Sequence, residues 1–139
     1  MANQIYAKAF QQMLSGGINL TSADVRAMLV DSQEYTPNLA THEFLSSVPG
    51  GGRVAALSSG MTNKTVTDGV FDADDITFSS VSGDQSEYLL LYIHTGSDAT
   101  ARLLALIDTA TGLPATPGGG NITVTWSNGS DKIFALRNP

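Results

Sequence analysis

Apolar residues recur along this chain with two different periods, and the change falls near the first glycine loop. In residues 3–14, Ile5, Tyr6, Ala9, Phe10, Met13 and Leu14 stand three and four apart. That spacing makes one apolar stripe on an amphipathic helix. Asn3 is a candidate cap at its start, and Gly16-Gly17 supply a stop. Residues 24–31 alternate instead, with Val25, Ala27 and Leu29 on one side and Arg26, Met28 and Val30 on the other. Residues 31–38 follow no period, and Pro37 forces extended geometry before it. Residues 41–48 predict a short helix of about two turns, with Thr41 as its cap and Phe44, Leu45 and Val48 on its apolar side.

Beyond Pro49-Gly-Gly-Gly52 the pattern alternates or runs continuously apolar. It predicts strands over 53–57, 64–67, 75–78, 88–94, 101–108, 122–126 and 132–136. The strongest signal is the pair of apolar runs in residues 88–108, separated by Thr95-Gly-Ser-Asp98. The break is too short for a crossover helix, so the runs predict an antiparallel hairpin buried on both faces. Asn128-Gly129 predicts a second hairpin turn near the end of the chain. Counting residues 24–31, about eight short strands imply a mainly β fold. The expected architecture is an antiparallel β-sandwich in a single domain, 1–139, with an N-terminal amphipathic helix and one short helix.

Composition narrows the chemistry. The chain has no cysteine, which removes thiolate metal sites and disulfides. Lys and Arg number 7 against 13 Asp and Glu, for a net charge of −6. The basic residues are scattered, so no nucleic-acid partner is expected. No membrane partner is expected either, since no apolar run approaches the roughly 20 residues of a spanning helix. The N-terminus does not have the pattern of a signal peptide. Charged residues make up 14% of the chain, below the roughly 25% usual for soluble domains. Ser, Thr, Asn and Gly fill that space and make weakly charged, hydrogen-bonding surfaces suited to permanent assembly.

Catalytic candidates are few. The imidazoles are His42 and His94, and no Gly-x-Ser-x-Gly elbow is present. His94 is expected at a strand end with a backbone hydrogen bond, and His42 facing solvent. Glu34, Glu43 and Glu87 are the only Glu residues and do not form an evident glycosidase pair. Asp72, Asp74 and Asp75 form the densest carboxylate cluster and are the candidate ligands for a cation such as Ca²⁺. The competing and favoured expectation is a turn whose carboxylates bond local backbone N–H groups. No cofactor is implied, and the expectation is a non-enzymatic binding or structural protein. A carbohydrate-binding adsorption module built on Tyr35, Tyr88 and Tyr92 is the alternative from another class, while Trp126 alternates into a core position.

Several segments in order resemble a family of small virion proteins encoded in tailed-bacteriophage structural gene clusters. They are Ile18-Asn-Leu20 after the first helix, the strand Val25-Arg-Ala-Met-Leu-Val-Asp31, Tyr35-Thr-Pro37 and His42-Glu-Phe-Leu45. They continue with Lys64-Thr-Val-Thr67, Phe71-Asp-Ala-Asp-Asp-Ile-Thr-Phe78, His94-Thr-Gly-Ser-Asp98 and Gly120-Asn-Ile-Thr-Val-Thr-Trp126. The resemblance implies a capsid decoration (cement) protein, with a neck, tail or fibre-attachment component second. It implies as partners the major capsid protein or other virion proteins, and as location the virion, assembled in the host bacterial cytoplasm. A homo-oligomer is expected, and a trimer would match local three-fold axes. The expected contact residues are Ile5, Tyr6 and Phe10 of the helix, with Tyr35 and Pro37 of the irregular loop, both regarded as movable elements. The second glycine loop, Ala115-Thr-Pro-Gly-Gly-Gly120, departs from the family pattern and is a candidate local contact.

Overall fold

The structure, a computed structural model, describes residues 4–126 and 132–135. It is mainly β, with every strand pairing antiparallel. The strands are β1 (Gln4–Ile5), β2 (Val25–Val30), β3 (Arg53–Ala56), β4 (Thr65–Thr67), β5 (Val70–Asp72), β6 (Ile76–Phe78), β7 (Tyr88–Ile93), β8 (Leu103–Ile107), β9 (Ile122–Val124) and β10 (Phe134–Ala135). One α-helix, α1 (Ala7–Leu14), follows β1. The strands form a five-stranded sheet ordered β1-β8-β7-β2-β3, a three-stranded sheet ordered β10-β5-β4, and the pair β6-β9. Side chains from all three sheets join one continuous core.

The large sheet is built on the two apolar runs. β7 and β8 pair as a hairpin, with Leu89 opposite Ile107 and Leu90 opposite Leu106. β2 covers the other edge of β7 along its whole length, from Val25 opposite Ile93 to Val30 opposite Tyr88. Strands with neighbours on both edges and apolar side chains on both faces need no polar alternation. Accordingly Leu89, Leu90, Leu91 and the five residues of β8 are buried.

Four expectations change. The N-terminal segment does not enter its helix at residue 3: Gln4 and Ile5 pair with Leu106 and Ala105. The free edge of β8 offers backbone partners there, and those bonds override the helical stripe. Tyr6 is extended at φ −64° and ψ 138°, and the helix begins at Ala7 without a side-chain cap. Asn3 lies outside the described residues. The helix ends as expected, with Gly16 at φ +84°, a conformation glycine adopts without strain.

Residues 41–48 do not form a two-turn helix. Phe44 bridges Arg102, the Leu103 N–H donates to Glu43 O (3.0 Å), and the Leu45 N–H donates to Ala101 O (2.8 Å). Strand-like bonding to the start of β8 leaves only a 3₁₀ turn at Leu45–Ser47. Thr41 is not a cap; Asn38 Oδ1 accepts from the Ala40 and Thr41 N–H groups instead.

The third change concerns the end of the chain. β9 pairs with β6 and β10 with β5, so the strands flanking Asn128-Gly129 are not partners in a hairpin. That turn itself falls outside the described residues.

The fourth change is a strand the alternation pattern missed. Asp68 (φ +51°) and Gly69 (φ +80°) form a two-residue turn joining β4 to β5. Positive φ at both central residues defines the type I′ hairpin turn. The second glycine loop is bonded within the fold, Val81 N–H donating to Gly120 O (2.9 Å) and Gly119 N–H to Val81 O (2.8 Å).

Candidate partner-binding surface

The five residues expected to meet a partner separate into two groups. Tyr6 and Tyr35 are buried, at 0% and 2% exposure. Their hydroxyls are 2.8 Å apart, and Tyr35 Oη lies 2.9 Å from His42 Nδ1. The Asn38 N–H, which can only donate, also points at Nδ1 (3.2 Å). Nδ1 is therefore the unprotonated ring nitrogen, Tyr35 donates to it, and Tyr6 donates to Tyr35. Burial pushes the Tyr6 phenol far above its ordinary value, with its hydrogen bond to Tyr35 adding to the rise. Burial also raises Tyr35, while the bond donated by Tyr6 opposes it.

This chain of side chains fastens α1 to the irregular loop. Backbone bonds reinforce it: Ala7 N–H donates to Leu39 O (2.8 Å) and Tyr6 N–H to Leu104 O (3.0 Å). The two elements expected to be movable contact arms are thus pinned to each other and to β8. Tyr6 and Tyr35 act inside the fold, and His42, expected to face solvent, is half-buried and stacked on Tyr35 with ring centroids 5.6 Å apart. Ile5 and Pro37 are half-buried. Only Phe10 of the five is exposed, at 37%.

Among the described residues, Phe10 is one of three exposed large apolar residues. Leu14, one turn further along α1, is 84% exposed, and Val66 on β4 is 51% exposed. Between the end of α1 and β4 runs an open groove of about 460 Å³. Met13, Ile18, Leu20 and Val66 give it apolar walls, and its polar atoms come from Asn19 and Thr21. Those two are bonded to each other, Asn19 Oδ1 accepting from the Thr21 hydroxyl (2.7 Å) and N–H (3.2 Å). Among the described residues, no charged side chain lines the groove. Sequence reasoning found Phe10 but not Leu14 or Val66 as surface residues. The stripe assigned Leu14 to the packed face, and Val66 was read only as part of a strand.

The acidic cluster is tied into the fold. Asp74 Oδ2 accepts from Thr62 Oγ1 (2.9 Å) and Asn63 Nδ2 (2.7 Å), and Asp75 Oδ1 accepts from the Trp126 N–H (3.0 Å). Trp126 Nε1 donates to Asp74 O (2.9 Å), which holds this buried indole. Asp72 sits on β5 opposite Thr65. The partners lie far along the chain, so the expected local turn is replaced by cross-links between segments. Among the described residues, no group of three His, Asp or Glu side chains is arranged to hold a metal ion.

The rim of the large sheet carries the clearest electrostatics. Arg26 donates to both carboxylate oxygens of Asp24, at 3.2 and 3.1 Å, and to Ser58 O at 3.1 Å. The bonds from Arg26 hold the Asp24 carboxyl below its ordinary value against a smaller opposing effect of burial. His94 and Lys64 act in the same direction, and the Lys64 ammonium donates to Ala23 O. His94 makes the backbone bond expected of it, donating its N–H to Asp24 O (2.9 Å). Arg53, not singled out by sequence, ties Leu45 O and Val48 O to Asp98 Oδ2. The tyrosine platform for a sugar is lost, because Tyr35 and Tyr92 are both buried.

Among the described residues, no helix is long and apolar enough to cross a membrane. No protein-family model matches the chain, and no curated protein matches it.

Proposed function

We propose that this protein is a structural component of a bacteriophage virion, a decoration protein that binds the assembled capsid and reinforces it. The observation that carries the reading is the apolar groove walled by Met13, Ile18, Leu20 and Val66, with Leu14 exposed next to Met13 at the end of α1. Exposed large apolar groups gathered at one place mark interaction sites on soluble proteins. The rigid attachment of α1 through Tyr6 and Tyr35 presents that surface without an ordering cost on binding. The ordered resemblance of segments to small virion proteins supports the capsid as partner.

In this reading each copy bridges neighbouring capsomers, so expansion or bursting of the shell must first break its contacts. Burial contributes on the order of 25 cal/mol per Å² before the costs of association. Symmetry repeats a modest surplus at every site, and a trimeric protein would match three-fold positions on the shell. The test is to mix the purified protein with undecorated heads, sediment them, and image the particles. Density on the capsomers is the expected result. Labelling confined to neck, tail or fibre would move the protein to that part of the particle, and absence of binding would remove the virion reading.

A further inference from the structure

The three-stranded sheet ends in an unsatisfied edge beside the apolar groove. Thr67 and Val70 flank the two-residue turn, so they are the hydrogen-bonded pair of the hairpin. Pairs alternate in an antiparallel ladder, which makes Val66 and Phe71 a non-hydrogen-bonded pair. The N–H and C=O of Val66 therefore point away from β5. The opposite edge confirms this phase, because Phe71 O faces β10 and accepts from Ile133 N–H (3.2 Å). β4 is the outer strand, and none of the backbone bonds outside the ladders of the described residues involves Val66.

The side chains tell the same story at right angles to the backbone. Phe134, Phe71 and Val66 lie opposite one another across the three strands and so face the same way. Phe134 and Phe71 are buried, with ring centroids 5.2 Å apart, whereas Val66 is half-exposed in the groove. The core-facing row runs out at Val66 for lack of a further strand.

We propose that an extended segment of a partner polypeptide adds as a fourth strand along β4. It exchanges two hydrogen bonds with Val66 and places an apolar side chain opposite it, between Met13, Ile18 and Leu20. This inference rests on the reading of the groove beside Val66 as a partner site, and names the form of the partner. The size of the surface selects that occupant. Seven residues line the groove, Val66 among them, and β4 adds Thr65 and Thr67. A stable dimer of folded copies takes roughly 20–30 residues a side. Strand addition needs far fewer, because main-chain bonds supply affinity and one pocket supplies selectivity. The uncharged lining selects an uncharged, alternating segment, with polar residues on the face away from the groove.

The probe is a capped peptide, Ser-Thr-Val-Thr-Val-Thr-Ser, titrated into the labelled full chain to about 1 mM while amide resonances are followed. Shifts centred on Thr65, Val66, Thr67 and Ile18 are expected. N-methylation of both valines of the peptide removes its two donors that can face β4 and keeps its side chains; binding should fall about tenfold or more. Equal binding of the methylated peptide would overturn strand addition in favour of simple apolar contact. No shift with either peptide would overturn it as well. Concentration-dependent broadening of residues 65–67 without peptide would replace the partner segment by a second copy. Sedimentation with heads is read separately: heads that bind the protein while the peptide does not would remove only this inference, and the reverse would remove only the capsid reading.

Discussion

Tyr6 and Tyr35 meet hydroxyl to hydroxyl at 2.8 Å inside the protein, and that contact joins the N-terminal helix to a loop 29 positions away. The order of donation, Tyr6 to Tyr35 to His42 Nδ1, is fixed at its far end by the Asn38 N–H. Deleting the Tyr35 hydroxyl strands the Tyr6 hydroxyl in a site with no water access and removes a donor to His42. Tyr35→Phe is expected to cost roughly 1–3 kcal/mol of stability. Tyr6→Phe removes the same contact from the other side, so the double variant should cost less than the sum of the single ones. Urea unfolding of the three variants measures this, and strict additivity would show that the hydroxyls do not act as a pair.

The same tyrosines set an alkaline limit. Their phenols are raised in the folded protein, as is Tyr92, chiefly by burial. A raised group contributes stability that is fully present below its ordinary value near 10 and is lost as pH climbs from there toward the folded-state value. Unfolding midpoints should therefore fall above about pH 10, and the fall should be shallower in Tyr6→Phe. A midpoint independent of pH between neutrality and pH 11 would contradict the buried, neutral placement of these rings.

At the acid end the sign reverses. Arg26 holds the Asp24 carboxyl below 3.8, so its contribution is present above that value and disappears as pH falls through the lowered one. Asp24 is substantially exposed, and solvent screening keeps the effect small. Asp24→Asn should flatten the part of the stability profile that falls below about pH 4 and alter the alkaline limb only slightly, through the smaller effect of its charge on Tyr92. Thermal melts at a series of pH values distinguish the two limbs.

Gly112 illustrates a constraint of backbone shape. It has φ +111°, and a Cβ at that position would stand 2.7 Å from Thr123 O. Both the torsion and the collision with a β9 carbonyl oppose any side chain, so Gly112→Ala is expected to cost about 2 kcal/mol or more. Gly118 has nothing within 4 Å of such a Cβ and no positive φ. Gly118→Ala should stay within about 0.5 kcal/mol of the parent. Equal melting temperatures for the two variants would show that the approach of residue 112 to β9 is not tight.

The large sheet was legible in the sequence because its information is local. Alternation defines β2 and continuous apolar runs bounded by turn residues define β7 and β8, and the short Thr95-Gly-Ser-Asp98 break leaves the latter two only one way to pair. The start of the helix was not legible, because the pairing of Gln4 and Ile5 depends on an edge of β8 a hundred residues away. For residues 41–48 the same strand intervened, capturing Glu43, Phe44 and Leu45 before a helix can form. β5 was a different kind of miss. Asp68-Gly69 is among the strongest hairpin signals, and the clustered aspartates after it drew attention to carboxylate chemistry. The candidate surface was least legible of all. Periodicity groups Tyr6, Phe10, Met13 and Leu14 on one stripe, and only the packing shows that its first half is buried and its second half uncovered.

That division along one helix gives a test separating folding from binding. Leu14 is 84% exposed, so little of its apolar surface is removed from water in the isolated protein, whereas most of Phe10, 37% exposed, is covered. Leu14→Ser should change stability by less than about 0.5 kcal/mol, whereas Tyr6→Ala, which empties a fully buried aromatic site just before the same helix, should cost roughly 3–5 kcal/mol. If the groove and Leu14 beside it hold the protein to its partner, the order inverts when binding is measured on correctly folded protein. Leu14→Ser should lose capsid binding by at least tenfold, equivalent to about 1.4 kcal/mol, while its circular dichroism and unfolding midpoint stay close to the parent's. Undiminished binding of that folded variant would move the contact off α1 and leave the edge of β4 to be tested by itself.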